Sequence, residues 1–187
     1  MEFVNFSIIF IVIAVFMCCV MPVYFNNFFS KKGLKNSDIL DIPDDRLETA
    51  VTEWLFSQTD EKGEVELSVV RAMPEPCRNV YAVYVVTGEV CSGGFAKSFK
   101  ELNSFFFSQA IYGFLAMKAE HLAEILETAC GIAGEFIKEN GRENIADVQE
   151  NEKIPALDHE FCSCQDMINL SEKMVSYIKE NSEYFGD

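Results

Sequence analysis

Histidine and basic residues are the scarce components of this chain, which has two His and fifteen Lys or Arg against thirty Asp or Glu in 187 residues. The formal net charge is −15. Phosphate binding needs a clustered basic surface, so this balance excludes direct binding to nucleic acid. The two histidines, His121 and His159, stand in no Ser, Cys or carboxylate arrangement that would support nucleophilic catalysis. A metal site is also missing. Cys162 and Cys164 follow His159, but a single residue separates the cysteines and no fourth ligand completes a tetrahedral set, so they read as buried structural thiols. The glycines from Gly88 to Gly94 resemble a phosphate loop in spacing only, since no Lys-Ser/Thr follows and Glu89 would repel phosphate. These absences predict no enzymatic activity, no cofactor and no metal. No internal repeat is visible, and Cys77, Cys91, Cys130, Cys162 and Cys164 form no disulfide framework.

What is present begins with residues 3–25, apolar at nearly every position apart from Asn5, Ser7 and Pro22. Twenty-three residues at about 1.5 Å rise each cover the ~30 Å hydrocarbon core of a bilayer. The residues before this run include no Lys or Arg, and no A-x-A-like site follows it, so a retained transmembrane anchor over residues 1–28 is expected rather than a cleaved signal. Cys18 and Cys19 read as small residues of that helix. Lys31, Lys32 and Lys35 flank the run on its C-terminal side, which predicts a single-pass protein with its domain in the cytoplasm. Cysteine usage agrees with that compartment. A polar linker is expected over 29–43 and an acidic folded domain over 44–187.

Within the domain, Asp44 and Asp45 precede Leu47, Val51, Trp54 and Leu55, which predicts an amphipathic helix ending before residue 60. A short helix over 65–73 is closed by Pro74 and Pro76. Residues 80–86 are β-branched or aromatic without alternation, so periodicity leaves helix and strand both open there. Ser92 can cap a new helix over 92–102, with Gly93 and Gly94 allowing close packing and Phe95 and Phe99 buried. The clearest helical stripe runs over 119–138, through Leu122, Ile125, Leu126, Ala129, Ile132, Ala133, Phe136 and Ile137, and stops at Asn140-Gly141. An acidic loop over 147–153 leads to a short segment over 156–164. A final helix follows, with Met167, Leu170, Met174, Tyr177, Ile178 and Phe185 toward the core.

The run Glu89-Val90-Cys91-Ser92-Gly93-Gly94-Phe95, followed by Phe99, resembles the central signature of the DNA mimic protein 19 family. Gly113, Ala116, His121-Leu122-Ala123 and Ile125-Leu126 continue the resemblance, as do Leu157-Asp158, Glu160-Phe161 and the closing Tyr177-Ile178 and Tyr184-Phe185. It covers roughly residues 79–187. The chain departs from the pattern at Ser92, where Asn is usual, and at Lys97-Ser98. The resemblance implies an all-α, compact multi-helix domain, which turns residues 80–87 toward helix, and it implies no enzymatic activity. It further implies a homodimer and a protein partner with a basic surface, such as a DNA-binding transcription factor. Glu89, Ser92, Gly93, Gly94 and Phe95 read as structural, with the Glu89 carboxylate accepting from the free N–H groups of the Ser-Gly-Gly helix start.

The charge pattern bears on the partner. Glu120, Glu124 and Glu127 fall at i, i+4 and i+7, and Glu135 and Glu139 continue the row, while Lys118 and Lys138 lie only at its ends. Like charges at i, i+4 cost about 0.2–0.5 kcal/mol per pair, so the row does not serve helix stability. Four residues rise about 6 Å, comparable to the ~7 Å between neighbouring phosphates of a strand. The expected function is therefore a membrane-anchored acidic module that occupies the DNA-binding surface of a partner. The alternative is a non-mimic or immunity-type protein that neutralises a basic partner, its charge serving mainly solubility.

Overall fold

The computed structural model describes residues 34–59 and 67–186, and every regular element among them is helical. The expected anchor at residues 3–25 lies outside the described residues. Among those described, no helix is long and apolar enough to cross a membrane.

Helices α1 (Asp44–Ser57), α2 (Leu67–Ala72) and α3 (Glu75–Glu101) are followed by α4 (Ser104–Ala116) and α5 (Glu120–Asn140). A 3-10 segment, Arg142–Glu150, then precedes α6 (Lys153–Ser163), α7 (Gln165–Ile168) and α8 (Leu170–Glu180). Two further 3-10 turns, Asn36–Asp41 and Ser182–Tyr184, pack on each other at the chain's two described ends. There Asn36 Nδ2 donates to the Glu183 carbonyl at 3.1 Å.

Helix α3 is the centre of the architecture. It packs against α1, α4, α6, α8 and the 142–150 segment. This arrangement resolves the ambiguous stretch at 80–86 as helix: Val80, Tyr81, Ala82, Val83 and Val86 are all buried, because neighbours cover the helix on several sides. The outward positions of the stretch are taken by exposed Tyr84 and half-buried Val85, so no polar residue marks the outer face and the sequence loses the 3.6-residue signature. Gly113 of α4 makes the closest crossing: a Cβ there would stand 2.7 Å from Val83 Cγ2 and 3.0 Å from the Asn79 carbonyl oxygen. A buried polar chain runs across the same contact, with Gln109 Nε2 donating to Asn79 Oδ1 at 2.6 Å and Asn79 Nδ2 to the Tyr177 hydroxyl at 2.9 Å. Phe161 of α6 stacks edge-on against both Phe95 of α3 and Phe114 of α4, tying three helices into one aromatic core.

Several expectations change. Packing begins before Asp44, since Leu34 and Ile39 are buried within the expected linker. The acidic stretch at 147–153 is no open loop: residues 142–150 wind as a 3-10 segment that buries Ile145 and Val148. No new helix starts at Ser92. Its hydroxyl donates to the Glu89 carbonyl within α3, and the chain breaks instead at Gly94, with φ 78° and ψ 171°. The N–H of Phe95, freed by that break, is satisfied by Asp158 Oδ1 of α6 at 2.7 Å, so Asp158 fills the role read for Glu89. Glu89 lies instead 3.6 Å from the Lys97 ammonium. Cys162 is exposed and joined by a disulfide to Cys91, with Cα atoms 5.8 Å apart and 71 residues between them in sequence. The reading of Cys162 as a buried free thiol is thereby corrected. Cys164 is a free, half-buried thiol.

The conformation of Gly94 lies in a region essentially closed to residues with a Cβ, and an added Cβ would meet Asp158 Oδ2 at 2.9 Å. Gly94→Ala is expected to cost about 1–3 kcal/mol, read as a lowered urea midpoint. Gly93→Ala, whose Cβ meets only the flexible Lys97 side chain, is expected to leave the midpoint unchanged or raise it.

Candidate functional site

Helix α5 carries its apolar stripe inward, with Leu122, Ala123, Ile125, Leu126, Ala129 and Ala133 buried, and this packing fixes what the other side presents. Glu120, Glu124, Glu127, Glu135 and Glu139 are all exposed. At 100° per residue they fall within about a third of the helix circumference, and at 1.5 Å rise they span roughly 28 Å. Gly131 lies on the same strip with nothing within 4 Å of an added Cβ, so the strip is bare of side chain at its middle. Among the described residues, Glu120, Glu127, Glu135 and Glu139 have no ion-pair partner.

The start of this helix is held from outside. Ala119 has no side-chain acceptor, and the N–H of His121 is taken by Asp166 Oδ2 of α7 at 3.0 Å. A carboxylate at a helix N-terminus also favours the dipole there. Asp166 is in turn paired with Lys173 of α8 at 2.6 Å, and the Lys173 ammonium donates as well to the Lys118 carbonyl. Burial alone would raise the Asp166 carboxyl, but the Lys173 hydrogen bond, the His121 N–H and the neighbouring positive charges outweigh it and hold its pKa below the ordinary carboxylate value.

His121 adds a member that sequence spacing could not supply. Its Nε2 lies 3.0 Å from Glu160 Oε1 of α6, and its Nδ1 lies 3.7 Å from Glu124 Oε2. The imidazole thus places a carboxylate of α6 beside the N-terminal part of the α5 row. Of the motif residues, Gly94 and Phe95 lie at the α3 break against α6, Phe95 being fully buried. Glu89 and Lys97 meet on that helix, and Lys97 also reaches Glu101 at 3.5 Å. Glu89 and His121 have different partners.

The remaining perturbed groups are structural. Burial pushes the Cys77 and Cys130 thiols up to about 12, and the hydroxyls of Tyr81 and Tyr177 are raised chiefly by burial. With Cys162 in the disulfide, the His159, Cys162 and Cys164 set lacks a pair of free thiols. No group of three or more metal-ligating side chains occurs among the described residues.

These elements define an acidic, all-α domain whose exposed carboxylates are ranked along one well-anchored helix. A family model described as DMP19-like protein matches residues 71–181, more than half of the chain, and the chain belongs to that family. The match takes in α3 to α8 and with them both the α3 break and the acidic face of α5. No curated protein and no solved structure matches the chain.

Asp166 supplies a test of how the face is held. Asp166→Ala is expected to cost about 2 kcal/mol at neutral pH, the usual size for a lost charge-assisted hydrogen bond. Because the folded-state pKa is depressed, this contribution is complete above the ordinary carboxylate pKa of about 4 and is lost as pH falls through the folded value. Denaturation curves of wild type and variant should therefore converge under acid conditions.

Proposed function

We propose that this protein is a DNA-mimic-type binding module that sets the acidic face of α5 against the basic, DNA-binding surface of a protein partner. The observation that carries the reading is the row Glu120, Glu124, Glu127, Glu135 and Glu139, exposed on one face, with only Glu124 in an ion pair among the described residues. Membership of the DMP19-like family supports it. Helix energetics support it too: the i, i+4 carboxylates cost a few tenths of a kcal/mol per pair, a cost that a cationic partner would turn into attraction. Glu160, held beside Glu124 by His121, extends the face beyond a single helix.

Residues 3–25 anchor the module in a membrane in this proposal, and Lys31, Lys32 and Lys35 keep the domain on the cytoplasmic side, where a DNA-binding partner is within reach. A regulator so held is kept from the chromosome. Homodimerisation follows the family resemblance. The reading includes no enzymatic activity and no cofactor.

Capture from native lysate with the full chain is expected to retain a basic DNA-binding protein at low salt, to lose it at high salt, and to lose it to duplex DNA. The triple variant Glu127→Gln, Glu135→Gln, Glu139→Gln is expected to bind less while melting no lower than wild type, since none of the three has an ion-pair partner among the described residues and the change relieves the repulsion of Glu135 and Glu139 at i, i+4. A partner that DNA fails to displace would make this an immunity-type or other interaction module. The compartment has its own readout. Cytoplasmic thiols are kept reduced, so native membranes treated with a thiol-blocking reagent should yield Cys91 and Cys162 alkylated. Recovery of the disulfide there would put the domain on the oxidising side.

A further inference from the structure

A cavity of about 240 Å³, open to solvent on one side, lies between the end of α3, helices α4 and α5, and the 142–150 segment. Its walls include Phe99, Phe107, Ile111, Ile137 and Ile145. In a chain with twice as many acids as bases, no carboxylate lines it, and the one charged lining residue is Arg142. Arg142 is exposed, and its guanidinium makes no ion pair among the described residues.

Gly134 gives a second, independent observation. It lies inside α5 and lines the cavity, and an added Cβ would meet nothing within 4 Å. Glycine in a helix interior costs about 1 kcal/mol relative to alanine, and here no neighbour demands it. A side chain at this position would stand in the open volume.

We propose that this cavity binds a small apolar carboxylate, of the class of medium-chain fatty acids, with its hydrocarbon part against the phenylalanines and isoleucines and its carboxylate paired with Arg142. An apolar wall with one placed cation sets both affinity and orientation. Because Arg142 is exposed, the ion pair selects the headgroup while burial of the chain supplies most of the binding. Each methylene added up to the capacity of the cavity should tighten binding about fourfold. The thiol of Cys130, also in the wall, stays protonated and serves as an apolar surface. Nothing in this site depends on the mimic reading, although Glu127 of the acidic row comes close enough to Cys130 of the wall to help raise its thiol.

The test is thermal unfolding of the full chain in nanodiscs, titrated with octanoate, octanol and octylamine. Octanoate is expected to raise the melting temperature saturably, at concentrations at least severalfold lower than octanol, and octylamine to have the least effect. Gly134→Leu is expected to melt no lower than wild type and to lose the octanoate response. Arg142→Gln is expected to bring octanoate down to the level of octanol while leaving octanol unchanged. No shift with octanoate, an equal response to octanoate and octanol in wild type, or an undiminished response in Gly134→Leu would each overturn the proposal.

Discussion

The fold depends on a broken helix. Helix α3 cannot run straight through residue 94, because Gly94 takes a backbone conformation that turns the chain and releases the N–H of Phe95. A buried N–H without an acceptor costs roughly 1–3 kcal/mol, so the break is stable only with a partner brought from elsewhere. Asp158 is that partner, and it comes from a helix 63 residues away. One turn further along α6, Cys162 reaches back to Cys91, one turn before Phe95 on α3. Phe161 between them enters the aromatic core. A polar tie, a covalent tie and an apolar plug therefore hold α6 at one place, and each uses a residue on the side of α6 that faces the break.

That docking positions the acidic face. Helix α6 packs on α5 as well as α3, and Glu160 meets His121 there. The start of α5 is fixed by Asp166, which is itself fixed by Lys173. The acidic row thus stands on a helix whose inner side is apolar and whose first turn is capped by another element, an arrangement that lets it carry like charges without fraying. A protein with a net charge of −15 repels itself, and the repulsion is opposed here by a core in which Phe95, Phe99, Phe106, Phe107, Phe114, Phe161 and Phe185 are buried. Under the proposed function this rigid presentation favours binding, since ordering a mobile surface on contact would subtract from affinity.

Much of this was legible in the sequence where one helix carries its own pattern. The α5 stripe, its stop at Asn140-Gly141 and the outward placement of its five glutamates follow from spacing alone. The 80–86 stretch is not legible, because its outward positions, Tyr84 and Val85, are as apolar or aromatic as its buried ones and leave nothing polar to mark the period. Residues 147–153 read as loop because the 142–150 segment is anchored by only Ile145 and Val148, too few to make a pattern. The break reads as a helix start in sequence because glycines and a serine there imitate a cap. Its actual acceptor, Asp158, is distant in sequence and cannot be inferred from local chemistry, and the same holds for the Cys91–Cys162 bond and for the Glu160–His121 pair. Gly134 carried no signal either, since its significance lies in the space around it.

The disulfide and the cap have different dependences on environment, and this bears on whether the acidic face needs an oxidising compartment. A bond closing a 71-residue separation stabilises chiefly by restricting the unfolded chain, by about 4 kcal/mol in the chain-entropy account. It adds no contact that the folded state otherwise lacks, because Asp158 and Phe161 already seat α6 against the break. With the two sulfurs reduced, the unfolded state gains freedom while the native arrangement of α6 and α5 keeps its polar and aromatic ties. Reduction thus lowers the margin of stability while the Asp158 and Phe161 ties of α6 remain, so the acidic face does not depend on the disulfide for its geometry.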